Sequence, residues 1–169
     1  MRLGIIGAGH VGGALGRLWE SQGHDVRFGV RDKSRAAAGG LPSARTCSVP
    51  EAGAIGDVIV LATPWDGTAN AVRSAGDLSG KTVIDCTNPL LPDLSGLAVG
   101  LTTSGAEEVA KLVPAAHVVK CFNTLGAANF AHPDFGNETA SMFFCGDDAG
   151  AKQIVAELGK QLGFDMVDA

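Results

Sequence analysis

Close to its start, the chain carries an apolar run, Leu3-Gly4-Ile5-Ile6, that breaks at Gly7-Ala8-Gly9-His10-Val11-Gly12 and continues as an amphipathic stretch ending near Gln22. A G-x-G-x-x-G signature is weak alone. Between a strand-like run and a helix-like one, it specifies a strand, a tight turn and a helix packed back on the strand. Gly7 permits the turn, Gly9 lets a pyrophosphate approach the backbone, and Gly12 lets helix and strand touch. The helix N-terminus then presents free amides and the positive end of its dipole to phosphate. Gly7, Gly9, His10, Val11 and Gly12 are therefore candidate cofactor-binding residues, with the backbone of His10 weighing more than its ring. The alternative is a glycine-rich turn without a ligand, and the flanking elements argue against it.

The rest of the sequence repeats that alternation of apolar runs and amphipathic stretches, the pattern of strands joined by crossover helices. Strands are expected over residues 2–6, 25–30, 58–62, 82–85, 118–122, 141–145 and 164–167, with a short one at 44–47. The fold class is α/β, a doubly wound, mostly parallel Rossmann sheet. With no repeat, low-complexity tract or linker-like break, residues 1–169 form a single NADP-binding domain. Ser48 with Glu51, and Thr63 with Asp66, have capping-box spacing, and Asp147 is placed to cap a helix over 148–162. Residues 88–105, rich in Pro, Gly, Ser and Thr, read as a long loop beside the carboxyl edge of the sheet.

A net charge of −5 argues against nucleic acid or an anionic membrane as partner, since both call for a basic surface. The longest apolar runs are strand-sized, and no basic, apolar and cleavable segments follow one another at the start, so a cytoplasmic protein is expected. Cys47, Cys86, Cys121 and Cys145 form no C-x-x-C pair. They read as free thiols and no metal site is expected, although Cys86 and Cys121 fall near the expected crevice.

After its second strand an NAD-binding domain usually places Asp or Glu, about 20 residues past the glycines, to hold the ribose hydroxyls. Arg31 occupies that place here, and Asp32 falls one residue late. Arg31, Lys33, Ser34 and Arg35 form a small cationic cluster suited to a 2′-phosphate, which favours NADP(H). A solvated basic turn is the alternative reading.

Three further segments are expected at the same edge: Ala62-Thr63-Pro64-Trp65, Cys86-Thr87-Asn88-Pro89 and Phe122-Asn123-Thr124. Ala62, Thr63, Pro64, Trp65, Asn88 and Asn123 complete the candidate cofactor-binding set around the nicotinamide. Helix capping accounts for Thr63, Pro64 and Asp66, leaving Trp65 as the residue that invites a ligand role. Asn88 and Asn123 are suited to the carboxamide, and equally to a turn. The chain contains no tyrosine, which excludes a Tyr-Lys acid/base pair of the short-chain dehydrogenase kind. His24, His117 and His132 have no evident carboxylate partner, so no catalytic residue is assigned. Hydride transfer between two bound redox rings needs no general acid and rests on holding them face to face.

Together these motifs resemble the family of NADP oxidoreductases dependent on the deazaflavin coenzyme F420 and, more distantly, the reductase domain of six-transmembrane metalloreductases. The resemblance spans the chain. It rests on Gly7 to Leu15, Phe28-Gly29-Val30-Arg31, Leu61 to Trp65, Val119-Lys120-Cys121-Phe122-Asn123-Thr124 and Phe144-Cys145-Gly146-Asp147-Asp148. It implies that Arg31 and Arg35 hold the 2′-phosphate, that the loops after the fourth, fifth and sixth strands seat the nicotinamide, and that the partner is a small redox cofactor, coenzyme F420 or a flavin. It also allows a homodimer. Asn123 stands where the deazaflavin enzymes tend to carry histidine, which is closer to the metalloreductase branch. The family continues past the equivalent of Asp168-Ala169 with a segment that shapes the acceptor pocket and the dimer, so an acceptor site lacking that tail is expected. Other readings are a non-catalytic module that senses NADP(H), and a reductase of small imines or 2-hydroxy acids, for which a helical substrate domain has no room.

Overall fold

A computed structural model of the chain describes residues 1–32, 34, 36 and 40–169. In chain order these form β1 (Arg2–Ile6), α1 (His10–Ser21), β2 (Asp25–Gly29), β3 (Thr46–Cys47), α2 (Val49–Ile55), β4 (Val58–Leu61), α3 (Trp65–Ser74), β5 (Thr82–Asp85), α4 (Gly105–Leu112) and β6 (His117–Lys120). A small hairpin of β7 (Asp134–Phe135) and β8 (Glu138–Thr139) precedes β9 (Ser141–Gly146), α5 (Ala149–Gln161) and β10 (Asp165–Asp168). Among the described residues the main sheet runs β10-β9-β6-β5-β4-β1-β2-β3, the open α/β arrangement expected from the alternating pattern.

Strands buried on both faces read as unbroken apolar runs, and β4 illustrates why. Val58 and Val60 point into one core with Ile5, Leu15, Trp19, Ile84 and Phe122, beneath α1 and α5. Ile59 and Leu61 point into the other, with Ile6, Val49, Val72, Val83 and Val109, beneath α2, α3 and α4. Within the main sheet neighbouring strands pair in parallel except β6 with β9, where Val119 faces Gly146 and Lys120 faces Cys145. No α-helix lies between those two strands, only a 3₁₀ turn at Ala127–Asn129 and the β7–β8 hairpin, so the chain returns antiparallel rather than by a crossover. α5 then supplies a crossover, and β10 lies parallel to β9.

Several expected boundaries move for local reasons. The strand over 118–122 stops at Lys120, because Phe122 has φ 60°, outside any strand conformation. α3 starts one residue later than Thr63 capping requires: Pro64 is its N-cap, without a side-chain hydrogen bond, so neither Thr63 nor Asp66 caps. Asp148, not Asp147, caps α5, accepting from the Ala151 amide at 2.7 Å. The Ser48–Glu51 capping box at α2 is present, and a second box, Ser104 with Glu107, starts α4 at the end of the long loop. No helix among the described residues is long and apolar enough to cross a membrane.

Candidate functional site

At the carboxyl end of β1 the chain turns at Gly7 with φ 99°, a left-handed conformation that favours glycine. A Cβ there would lie 2.4 Å from the Ala62 carbonyl oxygen, and one on Gly12 would lie 2.0 Å from the Gly7 carbonyl oxygen. Both glycines are thus fixed by the close approach of α1 and the β4 loop to the turn. Gly9 differs, since nothing stands within 4 Å of a Cβ built on it. Gly9 is also the N-cap of α1, contributes no side-chain cap, and no acidic residue occupies the first helical turn. The first amides of α1 consequently face open space with the dipole uncompensated, a cradle that fits a pyrophosphate. His10 and Val11 open this helix, and His10 is exposed.

The turn is pinned to the second strand, whose Gly29 carbonyl accepts from the Gly7 amide at 3.3 Å. Arg31 is exposed two residues further along the same edge. The Asp32 carboxylate is engaged locally: its Oδ1 accepts from the Ser34 amide at 2.9 Å and hydroxyl at 2.6 Å. Ser34 therefore engages Asp32 in an Asx turn. Lys33 and Arg35 lie outside the described residues.

Beyond β4, the Ala62 amide donates to the Ile6 carbonyl at 2.9 Å, tying this loop to the glycine turn. Thr63 and Thr68 hydroxyls meet at 3.0 Å, and Thr68 also donates to the Pro64 carbonyl. The Trp65 ring is half-buried and packs against the start of α4, its Cζ3 3.3 Å from where a Cβ on Gly105 would be. Asn88 and Asn123, 35 residues apart, form a reciprocal pair: Asn88 Nδ2 donates to the Asn123 carbonyl and Asn123 Nδ2 to Asn88 Oδ1, each at 3.2 Å. The left-handed Phe122 makes this possible. Its ring drops into the core against Trp19 at 5.5 Å and near Phe130 and Phe164, while the next residue turns outward to Asn88. Such a conformation at a buried aromatic persists only where its surroundings enforce it, and it gathers at functional sites.

Two depressions flank Asn88. One of about 300 Å³ is lined by Pro64, Trp65, Leu90, Leu91 and Leu94 among others. The other, about 280 Å³, is lined in part by Leu97, Val99, Gly105, Lys120, Asn123 and Cys145. Sequence reasoning missed the charged floor of the second. Lys120 Nζ stands 3.0 Å from Asp85 Oδ2, and Asp85 is fully buried at the end of β5. The available signal was a single charge in each of two otherwise apolar strands, Val83-Ile84-Asp85 and Val118-Val119-Lys120. Cys86 and Cys121 point to the opposite face, into the core beneath α1 and α5. Burial pushes both thiols up, Cys121 to about 12, so they are packing residues rather than nucleophiles.

The family model of coenzyme F420-dependent NADP oxidoreductases matches residues 2–89, which hold the glycine turn, Arg31, the Trp65 loop and Asn88. A metalloreductase of Rattus norvegicus, STEAP3, is 32% identical over 169 residues, covering 99% of this chain and 33% of its own length. The chain thus spans about a third of that relative. A crystal structure from Arthrobacter sp. FB24, described as an F420-dependent NADP-reductase, superposes with a TM-score of 0.89 at 30% identity, covering 99% of this chain and 84% of its own. A protein of Sinorhizobium meliloti, SMa0349, superposes at 0.84 with 32% identity, covering 99% and 83%. The family-model match over residues 2–89, a shared fold and sequence identity along nearly the whole length place this chain in the family of coenzyme F420-dependent NADP oxidoreductases.

Proposed function

We propose that this chain binds NADP(H) along the carboxyl edge of its sheet and passes a hydride between it and a deazaflavin or flavin ring. The uncapped N-terminus of α1, open at Gly9, carries the reading, because it leaves helix amides free where a pyrophosphate fits. Bound there, the nucleotide supplies the two-electron hydride chemistry of its nicotinamide. Gly9, His10, Val11 and Gly12 cradle the phosphates with backbone amides while Gly7 shapes the turn that brings them there, and Arg31 meets the 2′-phosphate with a charge-assisted fork, joined by Lys33, Ser34 and Arg35. Ser34 contributes from a turn already ordered by Asp32. Ala62, Thr63, Pro64 and Trp65 wall the nicotinamide end, and the Asn88–Asn123 pair presents amide groups suited to its carboxamide. The leucine-rich loop over 90–101 beside Trp65 offers the apolar surface on which an acceptor ring stacks and water is excluded.

The test is a spectrophotometric assay of NADPH oxidation with coenzyme F420, FMN, FAD or a ferric chelate, and NADH as the control donor. Turnover with one ring acceptor and a clear NADPH preference is the expected result. Tight NADPH binding without turnover with any acceptor overturns the oxidoreductase reading in favour of a sensing module.

A further inference from the structure

Under the Asn88–Asn123 pair lies a pair of charges that nucleotide binding does not use. Asp85 closes β5 and Lys120 closes β6, Cα partners in the parallel ladder, both on the α4 face of the sheet. Asp85 Oδ1 accepts from the Thr87 amide at 2.9 Å and the Thr87 hydroxyl at 2.7 Å, while Oδ2 takes Lys120. Lys120 also donates to the Thr87 carbonyl oxygen. Desolvating two charges is costly, and apolar replacements of such pairs are often neutral or stabilising, so stability alone is a weak reason for an ammonium here. An ammonium carries three donors. Two reach Asp85 and Thr87, and the Lys120 side chain keeps 16% exposure toward the cavity it shares with Asn123, Leu97 and Val99. That cavity, at about 280 Å³, admits one edge of a ring system rather than a whole tricyclic ligand.

We propose that Lys120 contacts the hydride acceptor and holds the negative charge its ring gains, with Asp85 and Thr87 positioning the ammonium. The inference rests on the oxidoreductase reading above. Flavins and deazaflavins share a pyrimidinedione edge, N1–C2=O, on which charge accumulates when the opposite edge accepts hydride. In the reducing direction the C4–H bond of NADPH breaks with both electrons, a C–H bond forms on a deazaflavin or an N–H bond on a flavin, NADP⁺ is released, and the acceptor anion takes up a solvent proton. A preorganised cation at the site of developing charge lowers the barrier because no solvent has to reorganise around it. Lys120 fills that role from a rigid strand end.

The test uses the 169-residue chain as Lys120→Gln, Lys120→Arg and the double variant Lys120→Gln with Asp85→Asn, which leaves no buried charge unpaired if the single variant misfolds. The first readout needs no turnover: anaerobic titration with oxidised and reduced FMN, and with oxidised and reduced coenzyme F420, also tells which ring the site takes. Wild type and Lys120→Arg are expected to prefer the reduced ring, relative to the glutamine variants, by about tenfold to a hundredfold. In turnover, kcat is expected to fall about a hundredfold in the glutamine variants and to recover with arginine, NADPH affinity being unchanged. Equal preference for both redox states across all variants, or parallel losses of NADPH affinity and kcat that arginine does not restore, overturns the role of Lys120. Absence of wild-type turnover with either ring overturns the oxidoreductase reading instead, and the affinity comparison still decides Lys120.

Discussion

Arg31 and Gly12 carry the two most direct single-residue tests. Arg31→Ala is expected to weaken NADPH binding by about 1.5–3 kcal/mol, the scale of hydrogen bonds to charged groups, and to leave NADH nearly unchanged. Calorimetric titration with both nucleotides checks it, and equal losses would refute contact with the 2′-phosphate. Gly12→Ala forces a Cβ toward a carbonyl oxygen 2.0 Å away, so α1 must lift from the turn. Overpacking of that kind costs about 1–3 kcal/mol in urea unfolding, and here it is expected to weaken NADPH binding as well. The glycine turn was legible because a left-handed φ and close backbone approaches select glycine, and Arg31, Asn88 and Asn123 lie along the sheet edge where they were expected. Asp85 was not. Besides Asp66 in α3, Asp-x-Ser/Thr occurs at Asp32, Asp77, Asp85 and Asp93, and in each of these four the carboxylate accepts from the residue two positions on. Only the three-dimensional arrangement reveals that the Asp85 turn is the buried one and that it holds Lys120.

Among the elements, α2 is the shortest α-helix described and is fixed at both ends by side chains. Its N-terminus carries the Ser48–Glu51 box, and at its far end Lys81 donates to the carbonyls of Gly53 at 2.6 Å, Ala54 at 3.1 Å and Gly56 at 2.8 Å. Lys81→Met is expected to cost about 1–2 kcal/mol, measured by urea unfolding, since the freed carbonyls lose a cation at the negative end of the dipole. The first box was readable from spacing and the second could have been, as Ser104 and Glu107 have the same offset. The capping assigned to Thr63 and Asp147 failed by one residue each, because spacing identifies a cap only when the first helical residue is known. The strand ending at Lys120 was overextended for a different reason: a left-handed phenylalanine leaves no mark on the pattern of apolar residues.

At the scale of the whole molecule, Asp57, Asp77, Asp93, Glu107 and Glu108 are all held below their ordinary values, chiefly by hydrogen bonds from Arg2, Ser79, Ser95, Ser104 and Lys111 respectively. The folded chain therefore binds fewer protons than the unfolded chain in the acid range. Their stabilisation is complete above the ordinary values of 3.8 and 4.5 and is lost as pH falls through the lower folded values. Urea midpoints followed from about pH 7 to about pH 3 should be flat and then decline. Added salt should weaken the Arg2–Asp57 and Lys111–Glu108 pairs and spare the serine-bonded turns. The mostly parallel sheet was legible as a whole, whereas the reversal at β9 was not, because it follows from a missing crossover helix rather than from any residue.

One contact ties the two ends of the chain together. The indole of Trp19, fully buried on α1, donates to the Leu158 carbonyl on α5 at 3.1 Å across 139 residues. The glycine turn and α1 precede α5 by more than a hundred residues, yet the surface on which α1 rests is completed only when α5 packs against it. Residues 2–89, which the family model matches, accordingly leave one flank of α1 open to water until α5 packs, so the glycine turn gains its final setting only through a contact made far along the chain.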